Sequence, residues 1–186
     1  MNSQPITNKQ KQIISLLLKF RFITVSQLLK HFNLKDPKRT REQLEDLRKK
    51  KYIDRIKNPK DVTKPIIYCL AQGSRNLLKE KNVEKNFLDR LYKEKGLSKE
   101  FQNHCLFIID IYLFFLANKE KESKLTFCTQ QDLTEFDYFP EDINVYMAVE
   151  NKSGTKRYFL ELFDNYHNKQ SKESCRYYVR KYIKYC

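Results

Sequence analysis

The chain opens with apolar positions at helical spacing. Ile13, Ile14, Leu16 and Leu17 form a broad apolar side on the segment Asn8–Lys19, with Thr7 or Asn8 placed to cap it, so a first helix is predicted. Phe22 and Ile23 follow. Thr24-Val-Ser-Gln27 has the S/T-x-x-Q form of a capping box and predicts a short second helix, its apolar positions Val25, Leu28, Leu29 and Phe32. Asn33 to Asp36 breaks that pattern. Asp36 as cap and Pro37 in the first turn then start a third helix, which runs to about Lys50 with Thr40, Leu44 and Leu47 as a narrow inward stripe. Tyr52–Lys57 alternates like a strand, 58–65 is a turn-rich loop, and Ile66–Leu70 is a second strand.

The pattern changes after residue 81. Glu80–Glu100 is densely charged and predicts a short connecting helix ending at Gly96. Ser98 or Asn103 then starts a strongly apolar helix. Phe101, Cys105, Ile108, Ile109, Tyr112 and Leu116 recur at three and four, and Phe107, Ile111, Phe114 and Phe115 fill other faces, so burial nearly all round is expected. His104 and Asp110 are its polar exceptions and need partners. Leu125–Thr129 is a strand, 130–142 is acidic and irregular, and Ile143–Val149 and Arg157–Phe163 flank the turn Asn151–Gly154 as a hairpin. Cys175, Tyr178, Val179, Tyr182, Ile183 and Cys186 mark one face of a last helix. That pattern is still running at Cys186, which leaves open a longer domain. The expected organisation is a domain at 1–81, a charged connector at 82–98 and an α/β domain at 99–186.

Charge separates the two parts. Residues 1–81 hold 20 Lys/Arg against 7 Asp/Glu, a net of +13, and residues 82–186 hold 17 against 16, a net of +1. A genome-wide lysine bias would act on both parts alike. The basic part is therefore expected to meet a polyanion. The five Cys at 69, 105, 128, 175 and 186 form no CxxC pair, and His31, His104 and His167 make no metal motif, so neither a disulfide framework nor a zinc site is expected. The start of the chain lacks the features of a signal peptide, and the apolar stretch Leu106–Ala117 is too short to span a bilayer and carries Asp110. A cytoplasmic protein with no membrane partner is the expectation.

Three helices, a strand, a loop and a strand are the plan of a winged helix, whose third helix normally enters the DNA major groove. "FITVSQLLKHF", "LRKKKYIDRI" and "IIYCLAQGSRNLL" resemble the corresponding runs of winged-helix regulators. Rotation at 100° per residue sends Lys38 and Lys49 away from the core, Arg41 and Arg48 to one flank and Arg39 to the other. Glu42, Glu45 and Asp46 also face solvent and are expected to pair with Arg or Lys three or four residues away. Lys35, Lys57, Lys60 and Lys64 add charge around the helix start and the wing, as phosphate contacts. Arg39, Arg41 and Gln43 are the expected base readers. Duplex DNA is thus the expected partner.

The second module has the order helix, strand, strand, strand, helix of the PD-(D/E)xK nucleases. That chemistry needs two carboxylates on one Mg²⁺ and a Lys that helps activate water. Asp142 of Pro140-Glu-Asp142 and Glu161 fit the carboxylates, while Phe163 stands at the Lys position. Lys169 or Lys172 would have to reach back from the last helix. The fold class expected is α+β, a winged helix-turn-helix followed by a small restriction-endonuclease-like domain.

Both modules together resemble the replication-relaxation proteins of bacterial plasmids and mobile elements, on "YCLAQGSRNLL", "HCLFIID", "PEDINVYMAVE" and "RYFLELFD". The resemblance implies a DNA-binding accessory factor of replication or DNA relaxation, with replication or mobilisation proteins as further partners. The chain departs from the family in its stretched Pro-Glu-Asp and in an acid at Asp164, one place late. Both departures speak against cleavage. Mg²⁺ enters only if the second module is a nuclease or nicking enzyme using Asp142 and Glu161. A third reading is a repressor whose second domain makes a homodimer.

Overall fold

A computed structural model describes residues 5–57, 63–79, 83, 85–133 and 144–162. The chain divides into two compact units, 1–114 and 115–186.

In the first unit, α1 (Asn8–Phe20) is capped by Thr7, whose hydroxyl accepts from Gln10 N while the Gln10 side chain accepts from Thr7 N. Strand β1 (Phe22–Thr24) follows directly. Its three buried residues are too few to alternate, so the hydrophobic pattern gave no sign of it. Thr24 ends β1 and caps α2 (Val25–His31), and the expected capping box with Gln27 forms in both directions. Asp36 caps α3 (Pro37–Lys49) by accepting from Lys38 N and Arg39 N, and Thr40, Leu44 and Leu47 are its buried stripe, as expected. Strands β2 (Ile53–Ile56) and β3 (Ile67–Leu70) complete an antiparallel sheet of order β1-β3-β2. Phe22 faces Cys69 across one pair and Ile53 faces Leu70 across the other. Because β3 is central, Tyr68, Cys69 and Leu70 are all buried and the strand does not alternate. Ile13, Ile14, Leu17, Phe22, Ile23, Leu28, Leu44 and Leu47 make the core beneath it. This arrangement is a winged helix.

The fold closes through two close approaches. After β3 the chain turns at Gly73, where a Cβ would lie 2.3 Å from the Lys51 carbonyl oxygen, so a side chain there collides with backbone. That gives the glycine of "YCLAQGSRNLL" a steric reason. The second is Arg21, at φ 66°, where a non-glycine residue is strained. Its N–H closes α1 on the Leu17 carbonyl at 2.9 Å. Its guanidinium grips the buried carboxylate of Glu94 and lies 4.7 Å over the Phe101 ring. Those contacts offset the strain.

Short helices α4 (Arg75–Lys79) and α5 (Lys85–Arg90) and a 3-10 segment (Leu91–Gly96) lead to α6 (Lys99–Asn118). Ser98 starts α6 by accepting from Phe101 N at 3.2 Å. Residues 85–114, including the first four turns of α6, belong to the first unit. Phe101 meets Phe22 edge-on, Tyr112 lies against Phe20, and Cys105 joins Phe22 and Cys69 in one cluster. His104 is buried against Phe101. Asp110 is exposed and accepts from Gln27 Nε2 at 3.0 Å. Burial all round, which the apolar pattern suggested, is not found: Phe107 is 49% and Phe114 62% exposed. One helix face suffices to dock α6, and the remaining aromatics fall off it. As a 20-residue helix α6 is also long and apolar enough to cross a membrane, which its twelve-residue apolar stretch alone is not.

The second unit is built on the antiparallel sheet β4-β5-β6: β4 (Lys124–Thr129), β5 (Val145–Asn151) and β6 (Gly154–Leu160), with α7 (Gln130–Leu133) after β4. The expected hairpin is present, its strands shifted by two or three residues toward the turn. Asn151 Oδ1 accepts from Ser153 N and Oγ, and Gly154 takes φ 131°, which favours glycine. Asn144 is fully buried and accepts from Leu162 N at 2.8 Å, tying the end of the hairpin to its start. The expected last helix, Cys175–Cys186, lies outside the described residues.

Gln27 uses its oxygen on Thr24 and its nitrogen on the Leu106 carbonyl and Asp110. Gln27→Glu keeps the cap but sets a carboxylate against two acceptors. We expect a loss of about 1–3 kcal/mol in urea unfolding, with Lys30→Ala on the same helix within about 0.5 kcal/mol of the parent. An unchanged midpoint for Gln27→Glu would show that this bridge carries no stability.

Candidate nucleic-acid interface

Helix α3 presents its charge as two classes. Two of its three acids, Glu45 and Asp46, are neutralised within the unit, whereas Glu42, expected to pair likewise, is exposed and has no cationic partner among the described residues. Arg48 makes a two-pronged contact with Glu45 at 2.9 and 2.6 Å, and Arg55 of β2 stands 3.9 Å from the same carboxylate. Lys50 Nζ donates to Asp46 Oδ2 at 2.8 Å, and Gln10 Nε2 of α1 donates to the same oxygen at 2.7 Å. These are the expected i,i+3 and i,i+4 pairs. Hydrogen bonds from Arg48 hold the Glu45 carboxyl below its ordinary range, and those from Lys50 and Gln10 do the same for Asp46.

The second class is cationic and exposed. Lys35, Lys38, Arg39, Arg41 and Lys49 are exposed and have no carboxylate partner among the described residues. Gln43 and Arg48 are half-buried, and Arg48 is committed to Glu45. Lys57 is exposed at the end of β2 and Lys64 before β3, while Lys60 lies outside the described residues. The three expected base readers do not share a flank. Arg39 and Gln43 line one cleft, whereas Arg41 lies on the side of Tyr68, which it influences together with Arg55 and Arg48. Burial is what raises the Tyr68 hydroxyl pKa, and those cations oppose it.

One cation was not foreseen. Lys9, in the first turn of α1, holds its Nζ 3.2 Å above the Phe32 ring. Only its charge marked it in the sequence; its position depends on the Gln10–Asp46 bond, which ties that turn to α3. Burial lowers the Lys9 pKa. Beside Phe32 lies His31, its ring against both Phe32 and Tyr112, with Nδ1 buried and without a hydrogen-bond partner among the described residues. Burial, and then the charge of Lys9, push its pKa below 6.5.

The proposed carboxylates of the second module are not brought together in what is described. Asp142, Phe163, Asp164, Lys169 and Lys172 lie outside the described residues. Glu161 is half-buried just past the end of β6, not within the strand as the alternation suggested, because β6 ends at Leu160. Among the described residues no three His, Cys, Asp or Glu side chains converge as metal ligands.

Residues 14–184 match the replication-relaxation family. No curated protein matches the chain. Among solved structures it is similar to a MarR mutant from E. coli complexed with operator DNA, at 19% identity over 61% of this chain and 76% of that one, with a TM-score of 0.37. It is also similar to a mutant of Lactococcus lactis ZitR in apo form, at 19% identity over 60% and 81% of the two chains and a TM-score of 0.35. The adhesin competence repressor of Streptococcus pyogenes matches at 20% identity over 62% and 82%, with a TM-score of 0.32.

A neutral, depressed His31 has a consequence for stability. The unfolded chain takes up a proton on this imidazole below about pH 6.5 and the folded chain does not. Stability should therefore fall as pH drops from about 6.5 and level off below the folded-state value. His31→Phe, which keeps a ring against Phe32 and Tyr112, should flatten that limb. Equal slopes for parent and variant in unfolding midpoints between pH 7 and 5 would remove His31 as the cause.

Proposed function

The chain belongs to the replication-relaxation family, and from that premise we propose that it is a cytoplasmic duplex-DNA-binding accessory protein of plasmid or mobile-element replication. The observation that carries this reading is the division of charge on α3. Its acids Glu45 and Asp46 are satisfied by Arg48, Lys50 and Gln10, while four cations, Lys38, Arg39, Arg41 and Lys49, are left to solvent against one acid, Glu42. A helix so arranged offers net positive charge on a surface that projects from a rigid three-helix core. In a winged helix this is the element that enters the major groove. Phosphate contacts by Lys35, Lys38, Lys49, Lys57, Lys60 and Lys64 would supply affinity by releasing counterions. Base contacts from Arg39, Arg41 and Gln43 would supply sequence choice. Arg48 contributes less than these, because its charge is already shared with Glu45.

The second unit acts, in this reading, as a nuclease-like scaffold that does not cut and that meets DNA or a replication or mobilisation partner. Phe163 at the lysine position supports this, since an apolar ring cannot activate water at a metal.

Affinity for duplex DNA should fall with salt by about 0.9 log units per log unit of salt for each phosphate neutralised. Replacing Lys38, Arg39 and Arg41 together by Ala should weaken binding about tenfold or more at low salt, and Arg48→Ala much less. Fluorescence anisotropy with a labelled duplex measures both. Affinity that ignores salt would point to a protein partner instead. Supercoiled plasmid incubated with the chain and Mg²⁺ should stay supercoiled; nicking abolished by Asp142→Ala would make it an enzyme.

A further inference from the structure

A cleft of about 470 Å³ opens between the first turn of α1, the turn before α3 and the first half of α3. It is lined by Lys9, Leu34, Lys35, Asp36, Arg39, Thr40 and Gln43. Three cations thus line it from two stretches of chain, Lys9 from α1 and Lys35 and Arg39 from the segment that enters α3. The one carboxylate present, Asp36, has Oδ1 engaged in capping α3. Lys9 is not a solvated surface lysine: its ammonium sits against Phe32 and has lost water to burial without gaining a carboxylate among the described residues. Gln43 is half-buried in the same wall, and its amide makes no hydrogen bond among the described residues. The site therefore offers three cations and an amide donor against a single carboxylate, which is already engaged in capping α3. Its opening runs beside α3 and shares Arg39 and Gln43 with it. When a helix lies in the major groove, the two phosphate backbones run along its flanks.

We propose that this cleft clamps a backbone phosphate of the DNA strand beside α3, with Lys9, Lys35 and Arg39 as its cationic partners and Gln43 as a donor. The inference rests on the DNA-binding reading and assigns α1 a part in it. Lys9 ties the first helix to the same strand that α3 borders, so the register of α3 in the groove is set from two helices rather than one. A free phosphate-bearing ligand shares the same chemistry, and the test separates the two sources.

The full chain should be titrated against a labelled duplex across a salt series. Lys9→Gln and, separately, Lys35→Gln should each weaken binding about three- to tenfold near 0.1 M salt and lower the salt slope by about one. Lys11→Gln, an exposed lysine of α1 that does not line the cleft, should leave both unchanged. Lys9→Arg should retain most of the affinity. Lys35 lies outside α1, so its variant reads the cleft even if Lys9→Gln loosens α1. Inorganic phosphate at fixed ionic strength should leave the Lys9 effect intact. If the Lys9 and Lys35 variants bind like Lys11→Gln while the parent still binds DNA, the clamp is overturned and the DNA-binding reading stands. If millimolar phosphate erases the Lys9 effect, the cleft is a free-anion site and the clamp is likewise overturned. If the parent shows no salt-dependent binding, the DNA-binding reading falls and takes the clamp with it.

Discussion

Two glutamines in capping boxes hold the first unit together by doing two things at once. In each box the side-chain oxygen accepts from the capping threonine, which satisfies an N–H that the helix start leaves open. Glutamate would serve that purpose equally. Glutamine adds an NH₂, and both side chains spend it on another helix: Gln10 on Asp46 of α3, Gln27 on the Leu106 carbonyl and Asp110 of α6. Gln10 and Gln27 are both buried, so these bonds form away from competing water and their loss would strand polar groups. Helix starts and helix packing are therefore coupled through the same side chains. α1 is tied to α3, and α2 to α6, by hydrogen bonds as well as by apolar contact.

That coupling has an electrostatic result. Gln10 and Lys50 occupy Asp46, and Arg48 and Arg55 occupy Glu45, so the inner and flanking charges of α3 cancel within the unit. What is left to solvent is mostly cationic, with Glu42 as the exception. Gln10 also fixes the first turn of α1 against α3, which carries Lys9 to the edge of the same surface. A sequence count places +13 in the first 81 residues but cannot say which of those charges are already spoken for.

Much of the winged helix was readable. Helical spacing, the two S/T-x-x-Q boxes and the Asp-Pro start of α3 are local signals, and each formed where expected. Strand β1 was not readable, because three buried residues carry no period. The extent of burial on α6 was overestimated for a related reason: hydrophobicity tells which residues can be buried, not how wide a face the neighbour covers. Glu161 was placed inside a strand by alternation that continues past the last ladder bond, a limit set by pairing with β5 rather than by composition.

The amino-acid order alone therefore determined the helices α1 to α3 with their caps, the inward stripe of α3 and the concentration of positive charge, since these depend on contacts within a few residues along the chain. Only the tertiary structure decided which charges remain unspent, that Arg39 and Gln43 line a cleft, and that Lys9 belongs with them. Those facts depend on distances between segments far apart in sequence, and such distances are set by packing and by buried hydrogen bonds, which leave no periodic trace in the chain.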